Sequence, residues 1–277
     1  MQVIAMTREM GSLGKDVAAR LAEKRAKKVV YHEMIGERAD KLRVRNSHVV
    51  RLLETGACLW EKLTADKTSI SIYTADETFR ILLGNEAAVI RGWGPVHLLA
   101  GIPHVIRVRI CAPFDLRVER MMQRLGTGDR ASVQHEMELA EEAHTAITRR
   151  HFRLDWRESE HYDIVLSTDR LSVDECVEEL EQMMALPRFQ PTLASERQAR
   201  TLALEWSIRA SLRRDPRTAS ARLQLECTDG FVHVRGNVVA EDQSQFVHEV
   251  IAAVPGVREV HCSLRNISSS PWMRAEA

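Results

Sequence analysis

Residues 2–16 read Gln2-Val3-Ile4-Ala5-Met6-Thr7-Arg8-Glu9-Met10-Gly11-Ser12-Leu13-Gly14-Lys15-Asp16, and this stretch decides the fold. The apolar run from Val3 to Met6 suits a buried strand. Thr7 to Gly14 is a polar turn with two glycines, and beyond Lys15 the apolar residues Val17, Ala18, Leu21 and Ala22 recur with helical period. Strand, glycine turn and helix in that order cradle an anion. The first amides of a helix lack intrahelical acceptors, and the helix dipole favours negative charge beside them. Gly11 and Gly14 permit close approach of backbone to a ligand, Ser12 adds a hydroxyl, and Lys15 adds a point charge. Leu13 and Asp16 complete the loop. The spacing departs from GxxxxGK[ST]: Glu9 stands where that pattern has glycine, and Asp16 where it has a hydroxyl.

Outward from this stretch, short apolar strands alternate with helices. Strands are expected at Lys28–Tyr31, 86–91, 104–110 and 162–166. Helices are expected at 75–83, 96–100, Phe114–Leu125, 133–152 and 172–185, with further helices between Tyr31 and Ala75, one of them capped by Ser47. Nearly all-apolar strands separated by helices predict a parallel sheet covered on both faces. Ligands of such sheets bind beyond the carboxyl ends of the strands. Residues 7–15, residues 91–94 and the segment after Ile110 all fall at that edge.

The arginines allow two readings. Arg117, Arg120 and Arg124 share one helix face, and Arg130, Arg149 and Arg150 follow. They are either a solvated surface balanced by Glu119, Glu136, Glu138, Glu141 and Glu142, or a helical hairpin that closes on phosphates. Guanidinium forks suit the second role because they grip phosphate oxygens bidentately.

Five stretches, TREMGSLGK, AVIRGWG, RVRICAPFDLRVERMMQRLG, ITRRHFRLDW and HYDIVLSTDRLSVDECVEEL, resemble the cytidylate kinase-like family of P-loop nucleoside monophosphate kinases, collinear over residues 1–185. The resemblance implies MgATP as donor and CMP or dCMP as acceptor, with an acceptor-binding insert over residues 33–85 and an arginine-bearing lid over 120–153. Gly11, Ser12, Gly14 and Lys15 match its phosphate loop. Arg120 and Arg124 match the start of the lid, Arg149 and Arg150 its end, and Arg38 an acceptor-phosphate arginine. The family's Gly-Arg-Gly is here Gly92-Trp93-Gly94, so that Trp93 stacks on a base or Arg91 substitutes. Glu141 and His144 replace an Asp and an Arg of the lid. The magnesium ligand is not identified; Asp16 is a candidate by position.

Pro187 and Pro191 mark a linker over residues 186–200. Beyond it, a helix over 199–213, two alternating strands joined through Asp229-Gly230, a helix over 242–254 and a strand over 257–264 give the order αββαβ. With Gly230, Gly236 and the VPGV at 254–257, residues 201–267 resemble a BON domain. The resemblance implies membrane-surface or protein contact, and a regulatory or ligand-sensing role is the expectation here. Residues 268–277 read as a tail.

Lys and Arg total 39 and Asp and Glu 39, so no net field points to nucleic acid. The five cysteines form no CxxC pair, which supports neither a disulfide framework nor a zinc site. With no membrane-length apolar run and no signal segment, the expected compartment is the cytoplasm. The expected enzyme is a nucleoside monophosphate kinase. The rivals are a non-catalytic nucleotide sensor and a kinase for another small acceptor.

Overall fold

The computed structural model describes residues 2–31, 67–240 and 242–267. Residues 33–66 of the expected acceptor insert, with the Ser47-capped helix and Arg38, and the tail at 268–277 lie outside the described residues. The chain divides into two compact units: one of residues 1–67 and 84–192, the other of residues 68–83 and 193–277.

In the first unit, five strands form an all-parallel sheet: β1 (Val3–Arg8), β2 (Lys28–Tyr31), β3 (Ala87–Arg91), β4 (Val105–Cys111) and β5 (Ile164–Ser167). Their order is β2-β3-β1-β4-β5. Ile4 pairs with Val89 on one side and Ile106 on the other, which places β1 at the centre. Val3, Ile4, Ala5 and Met6 are all fully buried. Both faces of the strand are therefore covered, as an unbroken apolar run requires. Helices α1 (Gly14–Lys24) and, later in the chain, Val173–Ala185 bury Val17, Leu21, Val177 and Leu180 in the same core as β1 and β4. The second of these helices starts on a capping box, Ser172 with Glu175.

Between β3 and β5 the chain adds a short helix at Pro95–Leu98 and then α2 (Phe114–Leu125) and α3 (Arg130–Phe152). Helix α3 begins earlier than residue 133 because Asp129 caps it, accepting from the Ser132 amide at 3.0 Å. Val118, Val133 and Met137 pack α2 against α3.

The second unit contains a mixed sheet of β6 (Arg222–Thr228), β7 (Phe231–Val238) and β8 (Glu259–Asn266), in that order. Strands β6 and β7 are antiparallel, β7 and β8 parallel. Asp229 and Gly230 both have positive φ, at 52° and 88°, as a two-residue hairpin turn requires. Helices α4 (Leu193–Arg214) and α5 (Gln243–Ala252) supply Ile208, Leu212, Val247 and Ile251 to a core with Leu225, Val232 and Val234. Helix α4 starts at Leu193, inside the stretch whose prolines suggested a linker to 200. The helix Lys67–Leu83 also begins earlier than the expected residue 75, and its residues 68–83 group with this unit.

Candidate phosphate-binding site

The loop leaves β1 at Glu9, whose amide donates to the Ile110 carbonyl at 3.0 Å. It then folds on itself: the Ser12 amide and hydroxyl both donate to the Glu9 carbonyl, at 3.2 and 2.8 Å. The Ser12 hydroxyl, expected to serve the ligand, is thus buried and spent inside the loop. Gly11 has φ 78° and Leu13 φ 58°, both left-handed. A Cβ on Gly11 would lie 2.5 Å from the Arg117 carbonyl oxygen, so only glycine fits. Helix α1 begins with the Asp16 and Val17 amides on the Leu13 carbonyl. The amides of Gly11, Leu13, Gly14 and Lys15 donate to no acceptor among the described residues. Successive amides in a left-handed turn at a helix start form an anion-binding nest. Lys15 and Asp16 are exposed and make no side-chain hydrogen bond or ion pair among the described residues.

Glu9 is the residue whose part the spacing did not reveal. It is buried, and its carboxylate accepts from Arg109 Nη2 at 2.5 Å and from the Ala112 amide at 3.2 Å, with Arg117 Nε at 3.3 Å. Arg117 also donates to the Ala112 carbonyl at 2.9 Å, the Met10 carbonyl at 3.2 Å and Glu141 at 2.5 Å. Arg117 is therefore a structural brace under the loop, and for it neither the solvated-surface nor the phosphate-closing reading holds. A buried guanidinium needs such partners. The clue in the sequence was the acidic residue at a position where a phosphate loop has none.

Arg120 does reach the loop, through one bridge. It donates to the Thr168 hydroxyl at 2.9 Å and carbonyl at 2.7 Å, and that hydroxyl donates to the Ser12 carbonyl at 2.9 Å. Arg124, one turn further along α2, is exposed. Arg149 and Arg150 are exposed at the end of α3, and Arg149 pairs with Asp155 at 3.1 Å. Asp155 also accepts from Arg157, and these bonds hold its carboxyl well below the usual range. Arg149 and Arg157 line an open cavity of about 400 Å³ with Glu138, Glu141, Glu142 and Thr145. The loop residues, Arg120 and Arg117 thus come together, while Arg149 is held by Asp155.

The turn after β3 carries the two residues expected at an acceptor site. Arg91 is buried, 6% exposed, at the strand end. Trp93 stacks on His144 of α3, ring centroids 4.9 Å apart and planes 14° apart. Burial holds the His144 pKa well below the ordinary histidine value, with the nearby His97 and Arg109 adding to the effect.

A parallel α/β sheet with a left-handed amide nest between its central strand and first helix defines a P-loop kinase-type fold. Residues 3–170 match the model of the cytidylate kinase-like family, and the chain belongs to that family. Residues 202–266 match the BON domain. Among solved structures, a protein from Eubacterium ventriosum is 22% identical with a TM-score of 0.49, covering 66% of this chain and 98% of its own. Shikimate kinase from Acinetobacter baumannii, solved with shikimate, is 14% identical with a TM-score of 0.40, covering 66% and 93%. TT1252 from Thermus thermophilus is 19% identical with a TM-score of 0.38, covering 66% and 96%. Comparison with curated proteins gives no match. No helix among the described residues is long and apolar enough to cross a membrane.

Proposed function

We propose that the first unit binds MgATP at residues 11–16 and transfers its γ-phosphoryl group to a nucleoside monophosphate, CMP or dCMP being the acceptor that the family suggests. The observation that carries this reading is the nest: Gly11 and Leu13 at positive φ, with the undonated amides and the exposed ammonium of Lys15 beside them. An acceptor phosphate oxygen forms the new bond to the γ-phosphorus while the bond to the β–γ bridging oxygen breaks, and ADP leaves. The protein's part is position and charge. The loop amides and Lys15 hold the donor phosphates. Arg120 and Arg124, with Arg149 and Arg150 from the far end of α3, neutralise charge on the transferring oxygens. Asp16 is a hard oxygen donor at the first turn of α1 and fits a magnesium ion that keeps phosphate and water as its other ligands. Bound there, the ion would neutralise charge on the phosphate oxygens.

A second reading is favoured by Trp93. Where the family places an acceptor-phosphate arginine, this chain commits a tryptophan to a stack with His144. Loss of a charged hydrogen bond costs about 1.5–3 kcal/mol of binding. On this reading the unit senses a nucleotide without turnover and the BON unit reports occupancy, through contact with a protein or membrane surface in the cytoplasm. A kinase acting on another small acceptor is the variant of the first reading.

The test is ADP release by the full chain with MgATP and each nucleoside monophosphate in turn, beside Lys15→Ala. Acceptor-dependent turnover that collapses in Lys15→Ala establishes the kinase. ATP binding with no turnover on any acceptor establishes the sensor.

A further inference from the structure

A column of flat side chains runs from the turn after β3 to the base of the phosphate loop. Trp93 stacks on His144. His144 stacks on Trp156, with centroids 4.0 Å apart and planes 19° apart. The guanidinium of Arg109, on β4, lies 5.2 Å from the Trp156 ring centre and donates through Nη2 to Glu9. Glu9 in turn faces Arg117, which holds the Met10 carbonyl and Glu141. Glu141 and His144 stand three residues apart on α3 and so share a helix face. The helix is fastened twice, by charge to the loop and by stacking to the turn.

His144 is the telling member. It is 3% exposed, and its Nε2 has no hydrogen-bond partner among the described residues. A buried polar atom left unsatisfied costs about 1–3 kcal/mol. The ring is therefore held by its two faces: Trp156, which donates from Nε1 to Thr145 at 3.0 Å, and Trp93. Arg109 is fixed likewise, since it also donates to the Arg157 carbonyl.

We propose that Trp93, His144, Trp156 and Arg109 are positioning residues that couple the arginine-bearing helix α3 and the turn after β3 to the phosphate loop through Glu9. The inference rests on the reading that the loop binds a nucleotide. A triphosphate in the nest and the seated position of α3 then form one equilibrium, and disturbing Trp93 or His144 weakens binding at a loop that neither touches.

The test measures the affinity of a non-hydrolysable ATP analogue for the full chain by calorimetry, with thermal melts of each variant. Trp93→Ala and His144→Ala are each expected to weaken binding about tenfold, within the usual span of coupling between sites. His144→Phe keeps a flat ring and should restore wild-type affinity to within about twofold. The double alanine variant should be no weaker than either single one, because both act through one column. If the alanine variants do not fold, Trp93→Phe against Trp93→Leu makes the same comparison of flat with branched at the half-buried end of the column. Wild-type affinity in folded alanine or Trp93→Leu variants overturns the coupling, as does a His144→Phe variant as weak as His144→Ala. A wild-type chain that does not bind the analogue at all sinks the nucleotide reading, and the relay with it.

Discussion

Strands β1 and β3, at the middle of the five-stranded parallel sheet, bury both their faces, whereas the three strands between residues 222 and 266 bury only one. In β1 the residues from Val3 to Thr7 are all buried. In β7 burial alternates: Val232 and Val234 pack in the core with α4 and α5 and Val238 is buried, while Phe231, His233, Arg235 and Asn237 are exposed. The difference decides where polar chemistry is available. A sheet covered on both faces offers it only at the strand ends, and there Glu9, Arg109 and the loop amides collect. A sheet covered on one face spreads it across the other, where Arg222, Arg235 and Arg265 stand with the neighbouring rings of His233 and His261.

Substitutions can break this contrast. Ala5→Asp should abolish the folded state of the first unit, because an unpaired carboxylate at a fully buried position costs several kcal/mol whichever face it points to. Loss of the cooperative melt followed by circular dichroism would show it. Val234→Ala removes two carbons from the buried face of β7 and should lower stability by about 2 kcal/mol, seen as a shifted denaturant midpoint with unchanged slope. Gly11→Ala should weaken ATP-analogue binding at least about tenfold, since a left-handed alanine costs about 1–2 kcal/mol even before its clash with Arg117. A titration that gives wild-type affinity would show that the nest is not the site.

A smaller effect separates the units by pH. Burial, with His161 and Arg107 nearby, pushes His97 down to about 4, and His144 is depressed in the same sense. The folded chain therefore binds fewer protons than the unfolded one between pH about 4 and about 6.5. Its stability should fall as pH drops through that window. The Asp155 contribution, from a depressed carboxyl, is lost only below the ordinary carboxylate range, so it does not mask the change. A lower melting temperature at pH 5 than at pH 7.5, flattened in His97→Gln, is the expected record. The smallest effect belongs to the open face of β7, where His233→Ala should change stability by no more than about 0.5 kcal/mol.

Much of the architecture was legible because its signals are local. The glycine turn after Val3–Met6, the Asp229-Gly230 hairpin and the alternation at 221–227 each announce their structure within a few residues. Helix α2 was read to its ends, Phe114 and Leu125, because Pro113 opens it and Gly126, at φ 65°, closes it. The site was legible only in its backbone part. The side chains that brace the loop come from Glu9, Arg109, Arg117 and Thr168, up to 159 residues apart in the chain. Spacing cannot show that Arg117 points inward while Arg124, on the same helix, is exposed, because burial is set by what α2 packs against. The Trp93–His144–Trp156 column was invisible for the same reason: three aromatic rings at positions 93, 144 and 156 have no periodicity.

The side-chain amide of Gln2 donates to the backbone carbonyls of Met184 and Phe189, the latter at 2.9 Å. The first and last segments of the first unit thus lie side by side, at the end of β1 opposite the phosphate loop. Old termini joined by a short bridge there, with new ones opened at the exposed Gly128, would give a circular permutant that keeps every strand pairing.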